Sequence, residues 1–145
     1  MTILEFQQAV AAQLREDEWI RAHGVPVVCE DALDVEASAA KALEESGGIC
    51  LAVMTPALDS VGRNSRGEDV VEVSELALSV AETAANRLGD GRTTALDAAA
   101  AAAIALTKAW PRTVTLSGIR QTQEGGMLVA TARLATSFTL TPQED

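Results

Sequence analysis

The residues of this 145-residue chain whose types most readily do chemistry are one histidine, two cysteines and its acids. A Ser-His-Asp or Cys-His arrangement must be centred on His23, which stands beside Gly24 in a stretch that reads as a surface turn. Glu30, Asp31, Asp34 and Glu36 form the densest carboxylate cluster, but they lack the alternating ligands and the glycine of a calcium loop. A solvated acidic turn with a helix cap is the ordinary reading. Cys29 and Cys50 have no zinc spacing. They sit in apolar runs as buried thiols, with a disulfide between neighbouring strands as the alternative. Gly62 and Gly67 have the glycine spacing of a phosphate loop, yet Glu68 and Asp69 follow where Lys and Ser or Thr are required, and an acidic pair repels phosphate. Gly89, Asp90, Gly91 and Arg92 precede a helix start, where an anion site competes with a plain tight turn. Carboxylate pairs for glycoside chemistry would lack a stacking platform, because aromatics are 3% and tyrosine is absent. No catalytic, metal or cofactor residue is predicted.

The elements that would position a site are more legible than the site. The length suits one domain, and a 48% apolar fraction suffices for one aliphatic core. The formal charge of −10 gives a surface that repels phosphate backbones and anionic membranes. The cations are nine Arg and two Lys, Lys41 and Lys108. Arg is the preferred cation in polar interfaces, and GC-rich coding accounts for the bias equally well. There is no signal-peptide pattern and no apolar run of membrane length, so a cytoplasmic protein is expected.

Thr2 and Glu5 form a capping box, with Met1 and Phe6 at the staple positions, and Ile3, Phe6, Val10 and Leu14 recur at helical spacing. A turn of helix carrying Trp19 and Ile20 follows, closed by Gly24. A short strand spans 25–30, and Asp34 caps a helix over 35–45. Residues 49–54 are apolar on both faces, the mark of a strand covered on both sides. A long polar loop is expected over 55–68, then a strand over 70–81. The apolar phase of that strand switches from Val71 and Val73 to Leu76, Leu78 and Val80, which one extra residue near Ser74 and Glu75, a β-bulge, would explain. After a connection over 86–92, Thr93 or Thr94 caps the stretch TALDAAAAAAIALTKA. Its six consecutive alanines favour a helix that can lie close to whatever it covers. Strands over 113–123 and 127–140, joined at Gly125 and Gly126, close the chain. The second places Leu128, Ala130, Ala132, Leu134, Phe138 and Leu140 on one face, and Thr131, Arg133, Ser137 and Thr139 on the other. The predicted fold is α+β, a single domain over 1–140 in the order α-β-α-β-β-α-β-β, with a mainly antiparallel sheet under the alanine-rich helix and a loose tail over 141–145.

The sequence of helix, strand, helix, buried strand GGICLAVMTP, long polar loop, bulged strand VVEVSELALSVAE, Asn-Arg connection, alanine-rich helix and closing hairpin resembles the tail terminator, or tail completion, proteins of long-tailed bacteriophages. The likeness rests on order and texture. It implies a structural, non-enzymatic virion or prophage protein without cofactor, whose small α+β protomer assembles into a homo-oligomeric ring, commonly six-membered. Such a ring caps the growing tail tube, contacts the tail tube protein and offers a surface to the head connector. It would form in the host cytoplasm and end in the virion neck, with DNA only as passing cargo. The residues themselves suggest where subunits would touch. Arg63, Asn64 and Arg66 lie in the expected loop and could meet acids of a neighbour such as Glu72 and Glu75, and an acidic channel wall would let DNA pass without sticking. Another neck or head–tail joining protein, and a monomeric ligand-binding or enzymatic α+β domain, are the alternatives.

Overall fold

The computed structural model describes residues 2–30, 35–88 and 91–141. The Thr2 hydroxyl accepts the Glu5 backbone N–H at 3.1 Å and opens α1 (Ile3–Glu16), satisfying one of the amides that a helix start leaves unpaired. Asp17 ends α1 and caps a short α2 (Glu18–Ala22) by accepting the Ile20 N–H. Then β1 (Val27–Cys29), α3 (Val35–Ser46) and β2 (Ile49–Val53) make a strand–helix–strand crossover that leaves β1 and β2 parallel. The expected Asp34 cap and Met1 staple position, Asp31, Gly89 and Asp90, and tail residues 142–145 lie outside the described residues.

The loop expected over 55–68 is a correction. Most of it is a strand, β3 (Ala57–Arg63), and the true turn is residues 64–68, leading into β4 (Asp69–Glu82). Gly67, at φ 81°, takes the left-handed position of a three-residue hairpin loop. A short α4 (Ala84–Arg87) stands where a plain connection was expected, and α5 (Ala95–Ala109), β5 (Val114–Glu124) and β6 (Met127–Leu140) complete the chain. The order is therefore α-α-β-α-β-β-β-α-α-β-β, which adds β3 and α4 to the expected order and separates the expected turn of helix at Trp19 and Ile20 as α2.

The fold is α+β, built on a mixed six-stranded sheet with the order β1-β2-β4-β6-β5 and β3 beside β4. β2 pairs with Leu78 to Glu82 and β3 with Asp69 to Glu75, while β6 pairs along the opposite flank. β2 and β3 thus share one flank of β4 as an interrupted strand, broken around Pro56, whose ring cannot donate to a ladder. The bulge expected in β4 is present between Val73 and Glu75. It turns Leu76, Leu78, Val80 and Glu82 inward, opposite Leu134, Ala132, Ala130 and Leu128 of β6.

α1 and α5 pack on this inward face. Thr94, the second of the two expected caps, accepts the Asp97 N–H, and Ala98, Ala99, Ala102 and Ala103 of α5 are buried. Apart from Leu106, which is also fully buried, the buried side chains of α5 are methyl groups, so little side-chain bulk stands between the α5 backbone and the sheet. Phe6, Phe138 and Trp110 tie α1, β6 and the α5 end together, with ring centroids 4.9 and 5.5 Å apart. Alternation sends Cys50 to the face opposite Leu51 and Val53, and α3, packed on β1 and β2, covers it. Cys29 and Cys50 are buried thiols, not a disulfide. Among the described residues, no helix beyond α3 packs on the outer face of β4, β6 and β5.

Candidate interaction surface

Arg63, Asn64, Arg66 and Glu72 come together at the β3–β4 hairpin, and Glu75 does not. Asn64 builds the turn: its Oδ1 accepts the N–H groups of Arg66 and Glu68, and its Nδ2 donates to the Glu68 carboxylate at 3.2 Å. This is the local bonding for which Asn is favoured in turns. Arg63 pairs within the chain with Asp69 at 3.4 Å, both side chains being exposed, an arrangement that contributes little stability. Arg66 is exposed at the tip. Glu72 lies on the outer face opposite Thr139 and, with Gly62, Arg63, Asn64 and Val70, lines a depression of about 320 Å³.

Glu75 sits one step beyond the bulge, on the open sheet face. The Arg133 guanidinium grips it from β6 with two bonds of 2.9 Å, the bidentate geometry that planar guanidinium and carboxylate share. The hydrogen bonds from Arg133 hold the Glu75 carboxyl below its ordinary range and raise Arg133 in return. The charge of Glu75 is therefore already answered inside the chain. Around this pair, Arg120, Glu124, Thr122 and Thr131 line a shallow concavity of about 530 Å³ on the outer face. It is polar and rimmed by both signs of charge.

The sheet margins are unlike one another. β1 is three residues long, and Arg15 folds over it, donating from Nε and Nη2 to the Val27 carbonyl at 3.3 and 2.9 Å. A short, covered strand of this kind resists pairing with another chain. β3 and β5 are longer, at 7 and 11 residues. They carry aliphatic side chains in water: Leu58 is 46% exposed, Val61 78% and Leu116 41%.

One polar centre escaped the sequence reading. Glu82 is fully buried. Its Oε1 accepts the Ala95 N–H at 3.0 Å, and its Oε2 takes Asn86 Nδ2 at 2.8 Å and faces Arg92 Nε at 3.4 Å. The carboxylate thus serves the α5 N-terminus, where both the unpaired amides and the helix dipole favour an anion. The signal was the phase: Glu82 continues the inward series Leu76, Leu78 and Val80, so alternation alone puts a charge in the core. Next to it, Arg87 Nη2 donates to the Gly126 carbonyl at 2.6 Å and ties α4 to the closing hairpin turn.

Of the remaining candidates, His23 and Glu30 make local contacts. His23 is exposed at the end of α2, its ring stacked 3.9 Å from Trp19 and its Nδ1 2.8 Å from the Trp19 carbonyl. Glu30 accepts the Thr55 N–H and hydroxyl at 3.1 and 2.6 Å, which fastens β1 to the end of β2. Among the described residues no three of His, Cys, Asp and Glu converge as a metal site, and no helix is long and apolar enough to cross a membrane. No protein-family model matches the chain, and no curated protein matches it either.

Proposed function

We propose that the chain is a structural subunit of a ring at the end of a phage tail tube, a tail-terminator-like protein that stops tube growth and joins tail to head. The observation that supports this most is the contrast between its sheet margins. One is short and covered by Arg15, while two long margins carry Leu58, Val61 and Leu116 in water. Two different exposed patches on one protomer suit a head-to-tail ring, in which each subunit presents a donor and an acceptor surface. Its partners are other copies of the chain, commonly six in all, then the tail tube protein and the head connector. DNA passes without specific recognition, which the charge of −10 favours. Assembly takes place in the host cytoplasm, and the product belongs to the virion neck.

Gel filtration with light scattering, followed by negative-stain microscopy, tests this. Rings, or caps on the ends of tube protein polymers, are expected. A chain that keeps its 15.1 kDa mass both alone and with tube protein overturns the proposal and favours a monomeric ligand-binding domain. Rings that ignore the tube point to another neck component.

A further inference from the structure

We infer that copies of this chain join edge to edge, β3 of one adding in antiparallel sense to β5 of the next, so that one sheet runs continuously around the ring. The inference rests on the ring reading above and names its interface.

The two edges open on opposite flanks of one sheet: β3 flanks β4, β4 pairs with β6, and β5 flanks β6. Each of these three pairings is antiparallel, so β3 and β5 run in opposite senses. A rotation about an axis no more than ~45° from the strands therefore sets β5 of one copy antiparallel to β3 of the next, the more stable ladder.

The backbone groups needed for that ladder point the right way. The Asn64 N–H bonds to the Glu68 carbonyl at 3.0 Å, so alternation along the hairpin leaves the N–H and C=O of Val61 and Arg63 aimed away from β4. Counted from Glu124 opposite Met127, the same alternation leaves those of Ile119, Gln121 and Gln123 aimed away from β6.

The side chains agree with the backbone. Leu58 stands opposite Val73, and Val61 opposite Val71. Leu116 stands opposite Leu134, and Ile119 opposite Ala132. Cross-strand partners share a face, so all four aliphatic residues lie on the helix-covered face, where the core row runs out to strands that leave it partly in water. Joining β3 to β5 with Val61 of one copy opposite Ile119 of the next sets these two side chains together and keeps Leu58 and Leu116 on the same face, one to either side of them.

The offset of the edges also suits closure. Ser60, midway along β3, is level with Glu72, whereas Ile119, midway along β5, is level with Leu78 through Ala132. That offset is ~6 residues, or ~20 Å along the strands, against ~19 Å for four strand spacings across a protomer. The resulting tilt of ~45° falls at the steep end of the ~35–45° found in closed barrels.

The test is cross-linking in the full chain, with the buried native thiols left in place. Val61→Cys is paired in turn with Ile119→Cys, Gln121→Cys and Gln123→Cys, and oxidised under conditions that give rings. In at least one register a disulfide ladder up to the ring size is expected, and Val61→Lys, at a site 78% exposed, is expected to disperse the rings while the far-ultraviolet circular dichroism spectrum of the folded chain stays unchanged. Rings that survive Val61→Lys and yield no ladder in any of the three registers overturn the edge-to-edge joint while the ring reading stands. A parent chain that forms no ring, alone or on tail tube, removes both.

Discussion

Glu82→Gln keeps the shape of the buried side chain and removes its charge. The new Oε1 can still accept the Ala95 N–H, but the new Nε2 then faces Asn86 Nδ2, a donor 2.8 Å away, and Arg92 Nε. Asn86 has no easy escape by flipping its amide, because the same Nδ2 also donates to the Thr93 carbonyl at 3.0 Å. Removing the anion from the start of α5 costs about 1 kcal/mol, up to ~2 in a buried setting. A buried donor left facing a donor costs about 1–2 kcal/mol more. The sum of ~2–4 kcal/mol lowers the melting temperature of a chain this size by about 5–15 °C. The assay is thermal unfolding by far-ultraviolet circular dichroism, with a urea titration to check that the m-value is unchanged. Glu75→Gln is the comparison. It also loses an arginine partner, but on the open face where screening leaves exposed pairs little weight, and it should scarcely move the transition. A Glu82→Gln transition within ~2 °C of the parent, less than ~1 kcal/mol, would refute the idea that this carboxylate fixes α5 to the sheet.

Further outcomes follow from the same geometry. Ala102→Leu forces a larger side chain between α5 and the sheet, at a residue with no exposed surface, and should destabilise the fold by ~1–3 kcal/mol in a urea melt. Gly48→Ala places a methyl group against the Thr83 hydroxyl and 2.8 Å from the Asn86 backbone nitrogen at φ 120°. Because backbone cannot yield as a side-chain tip can, a loss of more than ~2 kcal/mol is expected. Burial pushes the Cys50 thiol from its ordinary 9.0 up to about 11. The folded state thus favours the protonated thiol, and its contribution, whole below pH 9, is lost as pH rises towards 11. Cys50→Ala should lessen the fall in melting temperature across that window. For the same reason Cys50 should resist alkylation at pH 8 until the protein unfolds.

The elements that announce themselves locally were readable in the sequence. The Thr94 cap and the alanine run stay visible because propensity and capping act within a few residues. The bulge at Ser74 and Glu75 showed as a break of phase, which strand alternation makes unambiguous. β3 stayed hidden for a physical reason. It is a margin strand wet on both faces, so Gly62 and Arg63 dilute any apolar period, and only its pairing with β4 makes it a strand. The stretch Asn64 to Gly67 was rightly seen as turn-prone but was spread over too long a loop. Of the candidate surface, the hairpin residues Arg63, Asn64 and Arg66 were found as a group, whereas the Glu75–Arg133 pair joins residues 58 positions apart, beyond the reach of local pattern. Glu82 was legible in phase and overlooked because its partners, Asn86, Arg92 and the Ala95 N–H, converge only when α4 and α5 fold back over the strand end.

On the proposed function, the open sheet margins make this chain a ring subunit. The most direct measurement is light scattering behind gel filtration, with negative-stain imaging of the same fractions, on the chain alone and with tail tube protein. Closed rings or tube-end caps at a multiple of 15.1 kDa are expected. A single species of 15.1 kDa under both conditions, with bare tube ends, would contradict the proposal.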